Sequence, residues 1–134
     1  MARADYDADG RYSSMADTFP GIWKIAADLA DLTGIQATHI AFQAYRDGQA
    51  VTPWHDDRTM TGDSMILSVG ATRRFQIRPY NGSTFGEAVH LYLPHDSLIV
   101  LPADFHDYYQ HRIGREGDVS TERYSFVFRT PARK

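Results

Sequence analysis

The sequence predicts a mostly β fold, a sandwich, jelly roll or barrel, with one helix near its start. Apolar residues recur at helical spacing in one segment, which Gly34 ends. After Gly34 the pattern changes to the period of two that is typical of half-buried strands, and Asp-Gly, Pro and Asn-Gly steps separate the segments. The predicted strands are 37–46, 64–70, 73–79, 87–93, 97–101, 108–113 and 122–130.

The predicted helix lies between Thr18 and Gly34. Thr18 is a suitable N-cap, and Pro20 suits a first helical turn because that turn needs no N–H from it. Gly34 suits the C-terminal end because glycine readily adopts the left-handed conformation found there. The apolar residues at helical spacing are Ile22, Ile25, Ala26, Leu29 and Leu32. Later in the chain, Asn81-Gly82 predicts a turn within a loop longer than a tight hairpin.

The 134 residues suit a single domain over 1–134, with a short N-terminal arm over about 1–18. The first ten residues are polar and end on a glycine, which predicts a loop-like arm. Hydrophobic residues make up 43% and charged residues 23%, as in ordinary globular proteins. The sequence contains no apolar run of about 18 residues, the length that a membrane-spanning helix needs. The first residues lack a signal-peptide pattern. We therefore expect a cytoplasmic protein, no membrane partner and a monomer.

The sequence contains no cysteine. Disulfides and thiolate metal sites are therefore excluded, so that any metal must be held by histidines and carboxylates, which suit Fe(II), Mn(II) or Zn(II). The formal net charge of -3 disfavours a broad phosphate-binding surface. It leaves room for a local basic groove.

His55 and Asp57 form a His-x-Asp pair, and in extended backbone the two side chains would point to one side. The pair alone carries little information in a chain with 6 His and 17 acidic residues, where a polar loop after Trp54 explains it equally well. A third ligand would complete the two-His, one-carboxylate set of non-haem Fe(II) oxygenases. His111 and His106 compete for this role, and spacing does not choose between them. Three others lack a matching acidic pattern and are expected to be ordinary sheet or surface residues: His39, His90 and His95.

The last predicted strand alternates strictly. One face carries the aromatic residues Tyr124, Phe126 and Phe128, and the other carries Arg123, Ser125, Val127 and Arg129. One interpretation is an edge strand with its arginines in water. The alternative is a strand inside a closed barrel, where an inward arginine must find an anion such as a dicarboxylate.

Taken together, these residues resemble the AlkB-like Fe(II)/2-oxoglutarate dioxygenases. The resemblance covers nearly the whole chain from about Pro20 to Thr130. It rests on 43–48 (Gln-Ala-Tyr-Arg-Asp-Gly), 55–57 (His-Asp-Asp), 68–75 (Ser-Val-Gly-Ala-Thr-Arg-Arg-Phe) and the run 96–129. The family's Arg-x-Asn-x-Thr-x-Arg signature is present as Arg123-x-Ser125-x-Val127-x-Arg129.

This resemblance implies a double-stranded β-helix (jelly roll) with the helix packed on the outside. It implies an Fe(II) held by His55, Asp57 and His111, with 2-oxoglutarate and O₂ as co-substrates. His111 is favoured over His106 because it precedes the first signature arginine by twelve residues. Arg129 would bind the remote carboxylate of 2-oxoglutarate. The other implied co-substrate residues are Tyr45, Gln43, Arg123 and Ser125, of which Gln43 and Ser125 replace the family's usual asparagines.

The implied reaction converts 2-oxoglutarate to succinate and CO₂ and hydroxylates a C–H bond, which removes an N-methyl group as formaldehyde. The implied substrate is an alkylated or modified nucleic acid base, the substrate of DNA-repair demethylases. Two alternatives stay open: a hydroxylase of a small molecule, free nucleotide or peptide, and a cupin-like module that binds metal without turnover. The family's nucleotide-recognition lid lies mostly before the helix, where this chain is short, so we expect weak binding to single strands.

Several surface roles remain open at this stage. Tyr6, Tyr12 and Phe19 either stack on a planar substrate or pack on the barrel. Five arginines either line one rim of the mouth or lie scattered on solvated faces: Arg46, Arg58, Arg73, Arg74 and Arg78. Five apolar residues are predicted to form the dry walls of the cavity: Ile66, Leu67, Leu91, Leu98 and Val100.

Overall fold

The computed structural model describes residues 2–7, as backbone, and residues 19–133. The helices are α1 (Ile22–Thr33) and α2 (Phe105–Tyr108). The first strands are β1 (Ala2–Asp7), β2 (His39–Tyr45), β3 (Thr52–His55), β4 (Ser64–Gly70) and β5 (Arg73–Asn81). The remaining strands are β6 (Thr84–Phe85), β7 (Val89–Leu93), β8 (Ser97–Leu101), β9 (Tyr109–Ile113) and β10 (Arg123–Arg129).

Two antiparallel sheets form the fold. The major sheet has the order β1-β2-β10-β4-β8, and the minor sheet has the order β3-β9-β5-β6, with β7 also paired to β5. Side chains of both sheets meet in one buried cluster, which includes Tyr45 and Val127 from the major sheet and Phe75 and Ile113 from the minor sheet. The predicted jelly roll is therefore confirmed.

Helix α1 packs on the outer face of the major sheet. Its buried residues Ile22 and Ala26 join Met65, Phe126 and Phe128 in a second apolar cluster. The helix thus lies outside the barrel, as predicted. Its apolar stripe is narrower than the spacing indicated, because Ile25 and Leu32 are exposed.

The ends of α1 differ in how well the sequence predicted them. Gly34 ends the helix with φ 79°, and its N–H donates to the carbonyl of Ala30 at 2.7 Å. The N-terminal cap is Gly21, so Pro20 lies in the preceding turn and outside the first helical turn. The predicted cap Thr18 lies outside the described residues.

The prediction of a loop-like arm is wrong for Ala2–Asp7. This segment forms β1 and pairs with β2 along the edge of the major sheet. Backbone hydrogen bonds to an open sheet edge are available to polar sequences, which carry no apolar alternation. The predicted turn at Asn81-Gly82 is present but tighter than expected, since Asn81 pairs with Thr84. Among the described residues, neither helix has the length and apolar character needed to cross a membrane.

Gly70 shows why the turn between β4 and β5 requires glycine. Its φ is 95°, and a Cβ atom there would lie 2.4 Å from the carbonyl oxygen of Glu122. Any side chain would push β4 away from the start of β10, the strand that carries both signature arginines. This glycine therefore protects the register of β10.

Candidate metal centre and co-substrate pocket

His55 and His111 face each other across two neighbouring strands. His55 ends β3, and its register partner on β9 is His111. Their ring centroids are 4.2 Å apart. The register shifts between Thr52 and His55, so a bulge near the end of β3 places both side chains toward the pocket between the sheets.

Asp57 completes the group two residues beyond β3. One carboxylate oxygen lies 3.5 Å from Nε2 of His111, and the other lies 3.8 Å from Nε2 of His55. One donor atom from each of the three residues lies within 4.8 Å of the other two. Two imidazoles and one carboxylate in this arrangement suit Fe(II) and leave coordination positions open.

The backbone sets the tautomer of His55. Its Nδ1 lies 2.7 Å from the carbonyl oxygen of Pro53, which can only accept a hydrogen bond. Nδ1 therefore carries the proton in the neutral ring, and the lone pair of Nε2 points toward Asp57. A second hydrogen bond of this kind commonly orients histidines that bind metals.

Asp57 is ionised in this site. Burial alone raises the pKa of its carboxyl group, but the hydrogen bond and charge of His111 outweigh burial, with help from His55 and Arg129. The pKa is held well below its usual range as a result. A permanently ionised carboxylate is the form that binds a divalent cation.

His106 is buried beside the group but does not belong to it. Its Nδ1 accepts a hydrogen bond from the backbone N–H of Asp57 at 3.3 Å. Burial lowers the pKa of His106, although the charge of Asp57 partly opposes this. The neutral ring thus supports the backbone of Asp57, while His111 brings its nitrogen to the carboxylate.

The signature arginines of β10 point into the same pocket. Arg123, Ser125, Val127 and Arg129 line it, and all are buried. Arg123 donates from Nη2 to Ser68 Oγ at 2.9 Å, whereas its Nε and Nη1 meet no acceptor among the described residues. Buried guanidinium donors without acceptors are suited to an anionic ligand.

Tyr45 lies beside β10, on the neighbouring strand β2, where Arg123 is its register partner. Its hydroxyl donates to Gln43 Oε1 at 2.8 Å, and the hydroxyl of Ser125 lies 3.5 Å from the same oxygen. Burial raises the pKa of Tyr45, partly opposed by the charge of Arg123. Tyr45 is therefore a neutral hydrogen-bond donor. The structure brings together all the residues that the sequence assigned to metal and co-substrate.

The apolar walls differ from the prediction. Of the five predicted residues, Ile66 alone lines this pocket. Leu67 and Leu98 face the other way, against the cluster under α1, and Leu91 and Val100 are exposed. Edge strands leave such residues uncovered. The walls that sequence reasoning missed come from Phe75, Leu101, Ile113 and Val127.

Of the two alternatives for the five arginines, a single rim does not describe the structure. Arg73 is fully buried, with its Nε 2.9 Å from a carboxylate oxygen of Glu116. Arg46 and Arg58 are exposed. Arg78 lies over the rings of Trp54 at 4.4 Å and Phe85 at 3.7 Å.

Three aromatic residues, Tyr6, Tyr12 and Phe19, were expected either to stack on a substrate or to pack on the barrel. Phe19 packs on the barrel, with its ring 4.8 Å from Phe42 and 5.0 Å from Phe126. The side chains of Tyr6 and Tyr12 lie outside the described residues. Packing is therefore the role of Phe19.

Comparison with known proteins identifies the family. The family model for the 2OG-Fe(II) oxygenase superfamily matches residues 2–129. The chain belongs to this superfamily, which uses Fe(II), 2-oxoglutarate and O₂. Within it, the chain is AlkB-like, as the resemblance of its motifs indicated.

Two curated relatives illustrate the similarity. Rat alpha-ketoglutarate-dependent dioxygenase alkB homolog 3 is 30% identical over 121 residues, which cover 83% of this chain and 41% of the relative. The human homolog 3 is 32% identical over 108 residues, with coverage of 73% and 38%. The chain thus spans about two fifths of the length of these relatives.

Solved structures give weaker likenesses. A Drosophila melanogaster CENP-C cupin domain has a TM-score of 0.47 at 9% identity, covering 68% of this chain and 59% of that one. CapF has a TM-score of 0.49 at 15% identity, with coverage of 72% and 25%. At these values the likeness carries no functional information.

Proposed function

We propose that this chain is the catalytic barrel of an Fe(II)/2-oxoglutarate-dependent dioxygenase that oxidises alkylated or modified nucleic acid bases. The observation that carries the proposal is the convergence of His55, Asp57 and His111 beside the buried arginines of β10 in one pocket. A metal site and an anion site in contact are what a keto-dicarboxylate needs. Either site alone would fit simpler functions.

Each residue has a role in the proposal. His55 and His111 would hold Fe(II) through Nε2, the nitrogen that faces Asp57, and Asp57 would bind through its carboxylate. Arg129 would take the remote carboxylate of 2-oxoglutarate, since a guanidinium fork binds a carboxylate through two parallel bonds. The hydroxyl of Tyr45 would donate a hydrogen bond to the same co-substrate, and Arg123 would compensate the negative charge of the co-substrate.

Bound Fe(II), 2-oxoglutarate and O₂ together supply an oxidising centre that yields succinate and CO₂ and places one oxygen atom in a substrate C–H bond. On an N-methyl group the hydroxylated product loses formaldehyde. The protein orients the co-substrate and excludes water, for which Ile66, Phe75 and Val127 provide apolar walls.

Nucleobases are proposed as the substrate because the chain is AlkB-like and because it is similar to AlkB homolog 3. A base in a duplex must leave the stack to reach a pocket inside a barrel. Single strands avoid this cost. We therefore expect a methylated base in a single strand to be a better substrate than the same methylated base in a duplex.

Succinate formation from 2-oxoglutarate tests the proposal. The purified chain with Fe(II) should form succinate faster when a methylated single-stranded oligonucleotide is added, with formaldehyde released in step. Methylated nucleosides and methylated amino acids are parallel arms. An Asp57→Ala variant should be inactive, whereas Leu32→Ala, on the exposed side of α1, should behave as the wild type.

The result decides among the three functions. Stimulation by nucleosides or amino acids and not by the oligonucleotide would replace the nucleic acid substrate with a small molecule. No succinate from the wild type under any condition would favour a barrel that binds metal without turnover.

A further inference from the structure

A second cleft opens beside the metal centre. It is lined by Arg58, Pro79, Tyr80, Asp107, Tyr108 and Tyr109, and we refer to these residues as the tyrosine cleft. None of them is among the residues that line the metal and co-substrate pocket. The tyrosine cleft is therefore distinct from the residues assigned to the metal and the co-substrate.

Strand geometry places the tyrosine cleft directly beyond the metal centre. Tyr109 and His111 are two residues apart on β9, so their side chains point to the same face of the minor sheet. On β5 their register partners are Pro79 and Ile77. The face that carries His111 thus continues one step further along both strands, to Tyr109 and Pro79 in the cleft.

The other wall of the cleft also follows a ligand in sequence. Arg58 comes directly after Asp57, at the exposed start of the loop toward β4. The cleft is consequently flanked by the chain neighbours of two proposed metal ligands. A molecule bound there would lie next to the position where oxidation takes place.

The cleft offers aromatic surface to a planar ligand. Tyr108 is 63% exposed and Tyr109 is 38% exposed, which are high values for large aromatic residues. The ring of Tyr109 stacks on Phe105, with centroids 5.2 Å apart, and the ring of Tyr80 stacks on Phe85 at 5.3 Å. These contacts hold the rings of Tyr109 and Tyr80 in place, so little order is lost when a ligand stacks on Tyr109.

The lining of the cleft contains one cation, Arg58, and one anion, Asp107. Asp107 is neutralised by Arg133, whose Nη2 lies 2.6 Å from its carboxylate. Arg58 forms an ion pair with Asp56, whose carboxylate lies 3.5 Å from its Nε, but its side chain is 52% exposed, so its other N–H groups can reach a phosphate. Three tyrosines could otherwise form a cage for a methylated ammonium group, but an adjacent guanidinium would repel that cation.

We propose that the tyrosine cleft is the subsite that holds a nucleotide for oxidation, with the base stacked on Tyr108 and Tyr109 and a phosphate at Arg58. The inference rests on the proposed function and adds residues to it. The nucleotide is either free or part of a single strand, and both present the same base and phosphate.

Equilibrium binding without turnover tests the proposal. The protein is loaded with Mn(II) and 2-oxoglutarate under argon, and fluorescence reports the binding of three probes: 1-methyladenosine, its 5′-monophosphate, and a methylated single-stranded pentamer. Tyr108→Ala should weaken binding of all three by about 5- to 150-fold, the range for loss of base stacking. Arg58→Gln should weaken binding of the monophosphate and the pentamer but leave the nucleoside unchanged.

Tyr92→Ala is the matched control. Tyr92 is 64% exposed, like Tyr108, but lies on β7, outside the tyrosine cleft. The Tyr92→Ala variant should bind every probe with the affinity of the wild type. Tighter binding of the pentamer than of the monophosphate would identify the strand as the source of the nucleotide, and the reverse would identify the free nucleotide.

Equal affinities of Tyr108→Ala and Tyr92→Ala would overturn the subsite. So would a trimethyl-lysine peptide that binds more tightly than the nucleotides and loses affinity in Tyr108→Ala. Succinate formation by the wild type distinguishes failure of the nucleotide subsite from failure of the proposed function. If succinate forms and Tyr108→Ala binds normally, the cleft assignment alone fails, whereas absence of succinate rejects the proposed function.

Discussion

Replacing Arg73 with methionine should be among the most destabilising single substitutions in this chain. The guanidinium of Arg73 is fully buried and is held by five acceptors. These are a carboxylate oxygen of Glu116 at 2.9 Å and the carbonyl oxygens of Asp47 at 2.8 Å, Gly48 at 3.5 Å, Ala50 at 2.9 Å and Gly114 at 2.8 Å. Methionine fills similar space but donates no hydrogen bond to any of these five acceptors.

The expected cost follows from the burial. Removing one partner of a buried ion pair costs about 3–5 kcal/mol. In a domain of this size, that corresponds to a fall in Tm of roughly 10–20 °C. The effect should reach the active site, because Asp47 and Ala50 lie between β2 and β3, and Gly114 follows β9 directly. Arg73 thus ties together the ends of the strands that carry Tyr45, His55 and His111.

Urea unfolding followed by circular dichroism measures this cost on the metal-free protein. Glu116→Gln is the informative companion, since its amide oxygen can still accept from Arg73 Nε and from the N–H of Arg74, which lies 2.7 Å from Oε1. It should therefore cost less than Arg73→Met. A free energy of unfolding for Arg73→Met within ~1 kcal/mol of the wild type would refute the view that this arginine clamps the barrel.

The remaining predictions concern the site. His111→Ala should abolish Mn(II) binding in calorimetry, while His106→Ala should weaken it only about 10- to 100-fold, as expected for a residue that supports a ligand; the opposite order would overturn the ligand assignment. Arg129→Lys should weaken 2-oxoglutarate binding by about 1.5–3 kcal/mol because lysine lacks the fork, and an unchanged affinity would remove Arg129 from the co-substrate site. Trp54→Ala should lower metal affinity more than Trp54→Phe. The phenyl ring can keep the cation–π contacts with Arg78 and Arg112 that anchor the short strand β3 next to His55, whereas alanine cannot. Equal metal affinities of the two variants would show that the ring is not needed. Because the pKa of Asp57 is lower in the folded protein than its unfolded value of about 4, its ionised carboxylate stabilises the fold above that pH, and this stability is lost as the pH falls from there through the folded-state pKa. In Asp57→Asn, the free energy of unfolding of the metal-free protein should therefore fall less steeply below about pH 4 than in the wild type. The same steepness in both proteins would contradict this.

Regular alternation made much of the fold predictable. The bounds of β4 and β8 are those predicted, and the other predicted strands differ by one or two residues at their ends. Strand β3 was missed because Pro53 argues against a central strand, and the structure resolves this by placing β3 at the edge of the minor sheet. The polar segment β1 was missed for a related reason, since edge pairing with β2 uses backbone groups that any sequence has.

The site was predictable where residue type and spacing restrict the chemistry. Burial was harder to predict. Arg73 and Arg74 are neighbours in sequence, yet only Arg73 turns into the barrel, because alternation assigns a face and does not say which face is covered. The same limit explains Leu91 and Val100, which alternate correctly but belong to edge strands that leave them in solvent.

The alternation of β10 has a consequence for how this chain tolerates change. Its inner face carries Arg123 and Arg129, and its outer face carries Phe126 and Phe128 under α1. Deleting a single residue within the strand would exchange the two faces beyond the deletion, burying an arginine against the helix and turning a phenylalanine toward the co-substrate. The assignment of side chains to the two faces therefore depends on the number of residues in the strand. Substitutions test one face at a time, whereas one-residue deletions damage the catalytic pocket and the helix contact together, and a two-residue deletion restores the original faces.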